Sequence, residues 1–114
     1  MNNQMRSTKP SKRWEIISKD NESWQVGIYR PEYNSENEID QFEKHSCPEF
    51  FLCVNGPMGL LLTKDGIESI IYLSPGEAIT VTDFHNGFCR SDNGYFVVTE
   101  QVNFTTEFLT RNTI

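Results

Sequence analysis

The stretch that decides the fold class is residues 50–82, FFLCVNGPMGLLLTKDGIESIIYLSPGEAITVT. Apolar and β-branched residues recur there in short runs, and the runs are separated by the turn dipeptides Asn55-Gly56, Asp65-Gly66 and Pro75-Gly76. Asn-Gly and Asp-Gly favour type I′ hairpin turns because both central residues tolerate positive φ, whereas Pro-Gly favours a type II turn. A turn about every ten residues is typical of an antiparallel meander, sandwich or barrel.

The same pattern extends outward on both sides of this stretch. Asn86-Gly87 and Asn93-Gly94 read as further turns, and β-forming residues dominate the segments before and after them. The predicted strands cover residues 14–18, 24–30, 50–54, 60–63, 67–73, 78–82, 95–102 and 104–109. Eight to ten short strands in one small domain must hide their edges, so the sequence predicts an all-β, antiparallel fold, either a small barrel or a two-sheet jelly roll.

Residues 35–45 allow two readings. Ser35-Glu36-Asn37-Glu38 fits a capping box, which would start a short helix over residues 36–44. The alternative is a loop that runs into a strand from about Gln41. Neither reading gives a clearly amphipathic pattern, and we favour the loop and strand.

Length and charge limit the domain organisation and the partners. The chain has 114 residues, enough for one domain with one core. Residues 1–13 carry four basic residues and no acid, which predicts a flexible basic tail followed by a single domain over residues 14–114. The remainder has six basic and sixteen acidic residues. This acidic body argues against nucleic acid as a partner, because binding phosphates requires clustered Lys and Arg.

The remaining composition predicts a cytoplasmic protein with no membrane partner. No apolar run approaches the ~20 residues that a membrane span requires, and no secretory signal is evident. The three cysteines, Cys47, Cys53 and Cys89, form no C-x-x-C pair. They predict small buried side chains in a reducing compartment rather than a disulfide framework or a zinc site.

Three polar residues share one face if the chain is extended from residue 43 to residue 49. Glu43, His45 and Glu49 have the same parity, and alternate residues of a strand point the same way. Buried ionisable groups must pair with each other or bind metal. His85 is the only other histidine, and in an antiparallel sheet it can lie across from His45.

These residues also carry a family resemblance. His45-Ser46-Cys47-Pro48-Glu49, followed after six residues by Gly56, resembles the first cupin motif, with Glu43 where that motif has its first histidine. Gly76 and His85 are similar to the second cupin motif. The resemblance covers about residues 24–102 and is to small single-domain cupins.

The resemblance implies a jelly-roll barrel that holds one divalent metal ion, Fe, Mn, Zn or Ni. Transferred residue by residue, it gives His45, Glu49 and His85 as metal ligands and Glu43 as a nearby catalytic acid or base, or a fourth ligand. Two imidazoles and a carboxylate with open positions suit non-haem Fe(II), and further oxygen donors favour Mn, Zn or Ni.

Further residues are candidates for ligand binding. Arg90 could pair with a carboxylate or phosphate of a ligand, and Phe51 and Tyr95 could form pocket walls. The resemblance therefore implies a small-molecule-binding cupin, with a metal-dependent oxygenase, isomerase or lyase of a polar organic substrate as the first hypothesis. The alternative is a non-enzymatic ligand-binding or sensor protein with a metal-free site. An apolar outer sheet face, with Leu60–Leu62 or Ile70–Leu73 as the candidate patch, would pair two copies, so we also expect a homodimer.

Overall fold

Ten short strands make up most of the chain, and they form two sheets. The computed structural model describes Met5 and residues 12–111. One short 3-10 helix, Glu36–Glu38, lies between the second and third strands. The strands are β1 (Trp14–Lys19), β2 (Trp24–Tyr29), β3 (Gln41–His45), β4 (Glu49–Asn55), β5 (Met58–Lys64), β6 (Ile67–Leu73), β7 (Ala78–Val81), β8 (Phe84–Phe88), β9 (Tyr95–Gln101) and β10 (Thr106–Thr110).

Each sheet has five strands, and the pairings connect strands that are distant in the chain. The first sheet has the order β1-β2-β9-β4-β7 and the second has the order β10-β3-β8-β5-β6. The pairings within both sheets are antiparallel. The predicted all-β, antiparallel class is therefore confirmed. Among the described residues the strands make two separate sheets rather than one closed barrel sheet.

Two predicted turns have the predicted geometry. Asp65 and Gly66 have φ angles of 53° and 78°, and they join Lys64 of β5 to its partner Ile67 of β6. Both central residues of this hairpin thus adopt the positive φ that a type I′ turn requires. At Pro75-Gly76, Gly76 has a φ of 91° and the Glu77 amide donates to the Ser74 carbonyl (3.0 Å), as in a type II turn.

Other turn dipeptides act differently from the prediction. Asn55-Gly56 connects β4 of the first sheet to β5 of the second, so it is a crossing between sheets and not a hairpin. The turn predicted at Asn86-Gly87 is wrong, because both residues lie inside β8. The side-chain amide of Asn86 donates a hydrogen bond to the Gln41 carbonyl on β3 (2.8 Å). This contact between distant residues could not be predicted from the local turn pattern.

The ambiguous segment follows the favoured reading. Residues 36–38 make only a single 3-10 turn, and β3 begins at Gln41 as predicted. The helix over residues 36–44 is absent because the chain from Gln41 pairs with β10 and β8.

Apolar side chains form a main core and a smaller satellite. Phe51 and Phe96 belong to the main core, as do the buried Cys53 and Cys89. The satellite lies on the other face of the second sheet, since its member Leu61 alternates along β5 with Leu60 of the main core. It is completed by Ile39, Phe42 and Phe88, with Tyr33 and Phe84 packed against it.

The predicted tail, residues 1–13, lies outside the described residues apart from Met5, Lys12 and Arg13. Arg13 is held by the start of the first sheet, because its carbonyl accepts a hydrogen bond from the Arg30 amide (2.8 Å). Within the described part of the chain, no helix has the length and apolar character that a membrane crossing needs.

Candidate metal centre

Two strands of one sheet and one strand of the other bring four titratable side chains together. Glu43 and His45 lie on β3, and Glu43 is the direct register partner of His85 on β8. Glu49 is the first residue of β4, in the facing sheet. The chain is not extended from residue 43 to residue 49, as the parity argument assumed, because residues 46–48 carry it from one sheet to the other. The side chains converge because the two sheets face each other.

Glu49 is the centre of this cluster. Its Oε1 lies 2.9 Å from Nε2 of His45 and 2.8 Å from Nε2 of His85. The side chains of Glu49 and His85 are only 7% and 5% exposed. Despite these short distances, Oε1 is buried without a well-aligned hydrogen bond. Such a buried acceptor is costly in a folded protein unless a cation, either a protonated imidazole or a metal ion, lies against it.

The outer nitrogens of both imidazoles are occupied by other groups. Nδ1 of His85 lies 2.9 Å from the Asp83 carbonyl, and Nδ1 of His45 lies 2.9 Å from the Thr106 hydroxyl. A carbonyl only accepts, so Nδ1 of His85 carries a hydrogen and Nε2 of the neutral ring presents its lone pair to Glu49. Two lone pairs at this distance repel, and the cluster therefore requires either a proton or a metal ion between them.

The pKa shifts of His45, His85 and Glu49 also favour positive charge next to the Glu49 carboxylate. Burial alone would lower the pKa of His45 and of His85, but the Glu49 carboxylate outweighs it, so both pKa values lie above their ordinary value. Burial alone would raise the pKa of Glu49, yet the two imidazoles lower it to about 2. Glu49 is thus an anion that attracts protons, or a metal ion, to the imidazoles.

Two further carboxylates lie next to this centre. Oε1 of Glu43 is 3.8 Å from Nε2 of His45, and Glu43 is a third exposed. Glu100 of β9 is buried, and its Oε2 accepts a hydrogen bond from the Gln25 amide group (2.7 Å). Burial raises the pKa of Glu100 to about 7, and the neighbouring Glu49 charge acts in the same direction.

Two groups of three donor atoms are each compact enough to hold one ion. Ligand atoms of Glu43, His45 and His85 lie within 4.8 Å of one another, and so do those of His45, Glu49 and Glu100. His45 belongs to both groups.

A cavity of about 250 Å³ opens onto these side chains. Its other lining residues are Arg13, Trp14, Tyr29, Phe51, Asn86, Val98, Phe104 and Thr106. Of the sequence-predicted ligand-binding residues, Phe51 lines this cavity. Arg90 is exposed and makes two hydrogen bonds to the Glu36 carboxylate (3.2 and 3.0 Å), and neither Arg90 nor Tyr95 is among the lining residues.

The sequence reasoning missed two charged residues of the site. Glu100 lies on the same face of β9 as the buried Phe96 and Val98. A carboxylate on an otherwise apolar strand face was therefore a signal that the sequence offered. Arg13 was assigned to the tail, and no sequence signal places it at the cavity.

No family model matches the chain, and no curated protein resembles it significantly in sequence. Solved structures do resemble it in fold. Hydroxypropylphosphonic acid epoxidase from S. wedmorenis, in complex with fosfomycin, is 12% identical with a TM-score of 0.61, and the match covers 89% of this chain and 58% of the epoxidase chain. HppE with Co(II) and substrate is 11% identical with a TM-score of 0.53, covering 68% of this chain and 42% of that chain.

A third similar structure is that of a cupin. A sugar phosphate isomerase of the cupin superfamily from Silicibacter pomeroyi is 19% identical with a TM-score of 0.51, and the match covers 76% of this chain and 57% of that chain. The chain has a cupin fold. It spans between 42% and 58% of the length of these three cupin-like neighbours, so the likeness extends to the fold alone.

The residues of this cupin fold fit a divalent ion. Donor atoms at ~2.1 Å from one metal lie ~3.0 Å apart at right angles in an octahedral site and ~3.4 Å apart in a tetrahedral one, and the two contacts of Glu49 Oε1, 2.9 and 2.8 Å, are near the octahedral value. The orphaned Oε1 and the inward Nε2 atoms supply two nitrogen donors and one oxygen donor. Two imidazoles and one carboxylate are a donor set typical of non-haem Fe(II), and the nearby Glu43 and Glu100 extend the choice to Mn, Zn and Ni.

Proposed function

We propose that this cupin is a divalent-metal-dependent enzyme that acts on a small polar organic molecule in the cavity between its sheets. The observation that carries the proposal is the buried Oε1 of Glu49, which faces Nε2 of His45 and of His85 without an aligned hydrogen bond. His45, Glu49 and His85 would hold the ion. When bound, the ion would polarise a substrate oxygen, which serves oxygenase, isomerase or lyase chemistry.

The surrounding carboxylates support a catalytic role. Glu43 is partly exposed and close to His45, so it is placed to take up or return a substrate proton. Gln25 holds Glu100 on the opposite wall by a hydrogen bond, which fixes the orientation of its carboxylate. Small-molecule chemistry is also what the names of two fold neighbours describe, an epoxidase and a sugar phosphate isomerase.

A metal-free binding protein is the second candidate. Protons on His45 and His85 could by themselves bridge the imidazoles to Glu49, and the raised histidine pKa values favour this. The cavity would then bind a small ligand without converting it.

Elemental analysis of reconstituted protein separates the two candidates. After incubation with Fe(II), Mn, Zn or Ni and dialysis, the wild type should retain one ion per chain. His45→Ala and Glu49→Gln should retain almost none, and the control Glu107→Gln, on the exposed face of β10, should retain as much as the wild type. A wild-type protein that keeps no ion, and whose Tm does not change with chelator, would show that the metal proposal is wrong.

Turnover separates an enzyme from a metal-containing binding protein. Metal-loaded protein would be incubated with short hydroxy acids, keto acids and sugar phosphates, and the products followed by NMR. Glu43→Gln should keep the metal and lose turnover by ~100-fold or more, which is the range that positioned acids and bases contribute. Metal retention with substrate binding but no conversion of any of these compounds would favour the binding protein.

Self-association and cytoplasmic location remain predictions. The outer face of the first sheet supports a homodimer, because Trp24, Phe50 and Val54 are 45%, 40% and 37% exposed there. Phe50→Lys should then shift the protein toward monomer in size-exclusion chromatography. The three buried, free cysteines suit a reducing compartment.

A further inference from the structure

The cavity is lined by one side chain of permanent positive charge and by three acidic side chains. Among the residues that line it, Arg13 is the only Lys or Arg, whereas Glu43, Glu49 and Glu100 all contribute carboxylates. A ligand that carries a negative group is repelled by the carboxylate wall and attracted to the Arg13 side.

Arg13 is positioned by the sheet although its side chain is half-exposed. Its carbonyl accepts the Arg30 amide hydrogen bond (2.8 Å), which ties the backbone to the end of β2. Trp14 follows directly and lies flat on Gly27, where a Cβ would come within 2.3 Å of the Trp14 ring. The Arg13 backbone is therefore fixed at the rim of the cavity.

The guanidinium of Arg13 has spare hydrogen-bond donors. Within the described part of the chain its one charged partner is Glu32, at 3.8 Å between Nε and Oε1, with both side chains about half-exposed. That distance is too long for a hydrogen bond, and an exposed ion pair of this kind contributes little. The fork of N–H groups can therefore pair with a carboxylate or phosphate.

The cavity that Arg13 shares with the His45–Glu49–His85 cluster has several aromatic side chains in its walls. Trp14, Tyr29, Phe51 and Phe104 line it, and the cavity volume is about 250 Å³. Burial raises the pKa of the Tyr29 hydroxyl while the Arg13 charge acts in the opposite direction, consistent with a guanidinium near that hydroxyl. A volume below the ~300 Å³ of the smallest drug-sized pockets admits only a short ligand.

We infer that Arg13 is the anion-recognition residue of this cavity, and that its ligand is a short organic acid. The carboxylate or phosphate of the acid pairs with the Arg13 guanidinium, and a second oxygen of the same molecule reaches the His45–Glu49–His85 cluster. This assignment rests on the proposed function, and it adds the substrate class.

The test compares acids with one and two anionic groups. Isothermal titration calorimetry of zinc-loaded protein would measure acetate, which can occupy the metal alone, and succinate, which can also reach Arg13. Arg13→Met should weaken succinate binding about ten- to a hundredfold, as for the loss of a charge-assisted pair, and leave acetate binding within about twofold. Arg13→Lys, which keeps the charge without the fork, should fall between the two.

The matched control is Arg30→Gln. Arg30 lines, together with Lys12 and Arg13, a neighbouring polar cavity of about 290 Å³, but it does not line the cavity at Glu49. Arg30→Gln should bind succinate as the wild type does. Equal losses in Arg30→Gln and Arg13→Met, or no loss in Arg13→Met, would overturn the inference. Phosphonoacetate in place of succinate shows which oxyanion Arg13 prefers, and either preference supports the inference.

A metal-free arm keeps the two proposals apart. The same titrations in chelator measure the Arg13-dependent part of succinate binding without an ion. If the wild type binds no zinc but Arg13→Met still weakens succinate binding, the metal proposal fails and the assignment of Arg13 stands. If zinc binds and Arg13→Met has no effect in either arm, the assignment fails and the metal proposal stands.

Discussion

Glu49 determines the charge balance of the site at the scale of single residues. Its buried carboxylate has a pKa of about 2 and remains negative under all ordinary conditions. The compensating positive charge must come from protons on the two neighbouring imidazoles in the metal-free protein, or from a metal ion that the imidazoles bind. Proton binding and metal binding are therefore in competition at the same atoms.

This competition predicts how the stability of the metal-free protein depends on pH. The folded pKa values of His45 and His85 lie above 6.5, so their contribution is complete below about pH 6.5 and is lost as pH rises through the folded values. The folded pKa of Glu49 is lowered from 4.5 to about 2, so its contribution is present above about pH 4.5 and is lost as pH falls toward 2. The folded pKa of Glu100 is raised from 4.5 to about 7, so its contribution is also lost as pH rises above about 4.5. Tm measured in chelator should therefore be highest at about pH 5 and fall as pH rises further.

Two controls accompany the pH series. Saturating zinc should remove the loss of Tm on the alkaline side, because metal binding replaces the protons. Glu49→Gln in chelator should show a flatter profile, because it lacks the charge that raises the histidine pKa values. A wild-type Tm in chelator that is constant from pH 6 to pH 9 would contradict the prediction.

Much of the residue set was predictable from the sequence, although the reasoning needed correction. Shared parity and the resemblance to cupin motifs predicted that His45, Glu49 and His85 lie close together. In the structure both imidazoles contact the Glu49 carboxylate. The parity argument gave the wrong reason for this proximity, because the chain passes from one sheet to the other between residues 45 and 49. Arg13 was not predictable, because its place at the cavity depends on how β1 pairs with β2.

At the scale of elements, β10 positions strand β3, which carries the proposed metal ligand His45. Thr106 is the register partner of His45, and its hydroxyl lies 2.9 Å from Nδ1 of that imidazole. The ring is thereby fixed with Nε2 toward Glu49. Hydrogen bonds of this kind to the outer nitrogen of a metal-binding histidine commonly affect metal affinity.

Thr106→Val should weaken zinc binding about ten- to a hundredfold, because it removes the hydroxyl and keeps the shape of the side chain. Competition with a chelator dye would measure the affinity. Thr80→Val is the matched control, on the exposed face of β7. Equal zinc affinities in Thr106→Val and the wild type would show that β10 does not orient His45.

The elements themselves were largely predictable because Gly-containing turns separate short apolar runs. Ile67–Leu73 was predicted with its observed bounds, and the Asp65-Gly66 hairpin has the predicted turn geometry. β8 was missed because Asn86-Gly87 resembles a turn. In the structure, Gly87 lets the Tyr29 ring approach to 2.9 Å from where a Cβ would be, and this long-range contact has no local signal.

At the scale of the whole molecule, Arg111 connects distant parts of the second sheet. Its guanidinium donates to both carboxylate oxygens of Glu68 (2.9 Å each) and to the carbonyls of Glu36 and Ile39. Its side chain is only 10% exposed. Arg111, which directly follows β10, thus connects the edge strand β6 to residues 36–39, next to the satellite core.

Arg111→Met should lower the free energy of unfolding by about 1–3 kcal/mol, because the carbonyls of Glu36 and Ile39 and the partly exposed Glu68 carboxylate lose their donor. Urea unfolding would measure this, and zinc affinity should change by no more than about threefold. Arg90→Met is the matched control, since Arg90 is an exposed arginine that also bonds Glu36 and should change stability little. Equal effects in the two variants would contradict the role of Arg111.

The overall topology could not be derived from the sequence. Hairpin signals report neighbours along the chain, whereas β2 pairs with β9 and β10 pairs with β3. These pairings place Glu100 and Thr106 at the centre although they lie more than 50 residues after Glu49. Which strands become neighbours depends on the packing of both sheets, and a single sequence carries no local record of it.

The most direct test of the central claim is a crystal structure of the protein grown with zinc, with anomalous diffraction recorded at the zinc edge. We predict an anomalous peak in the cavity, ~2.0–2.3 Å from Nε2 of His45, Nε2 of His85 and the carboxylate of Glu49. Crystals that contain saturating zinc but show no peak between these three side chains would contradict the account.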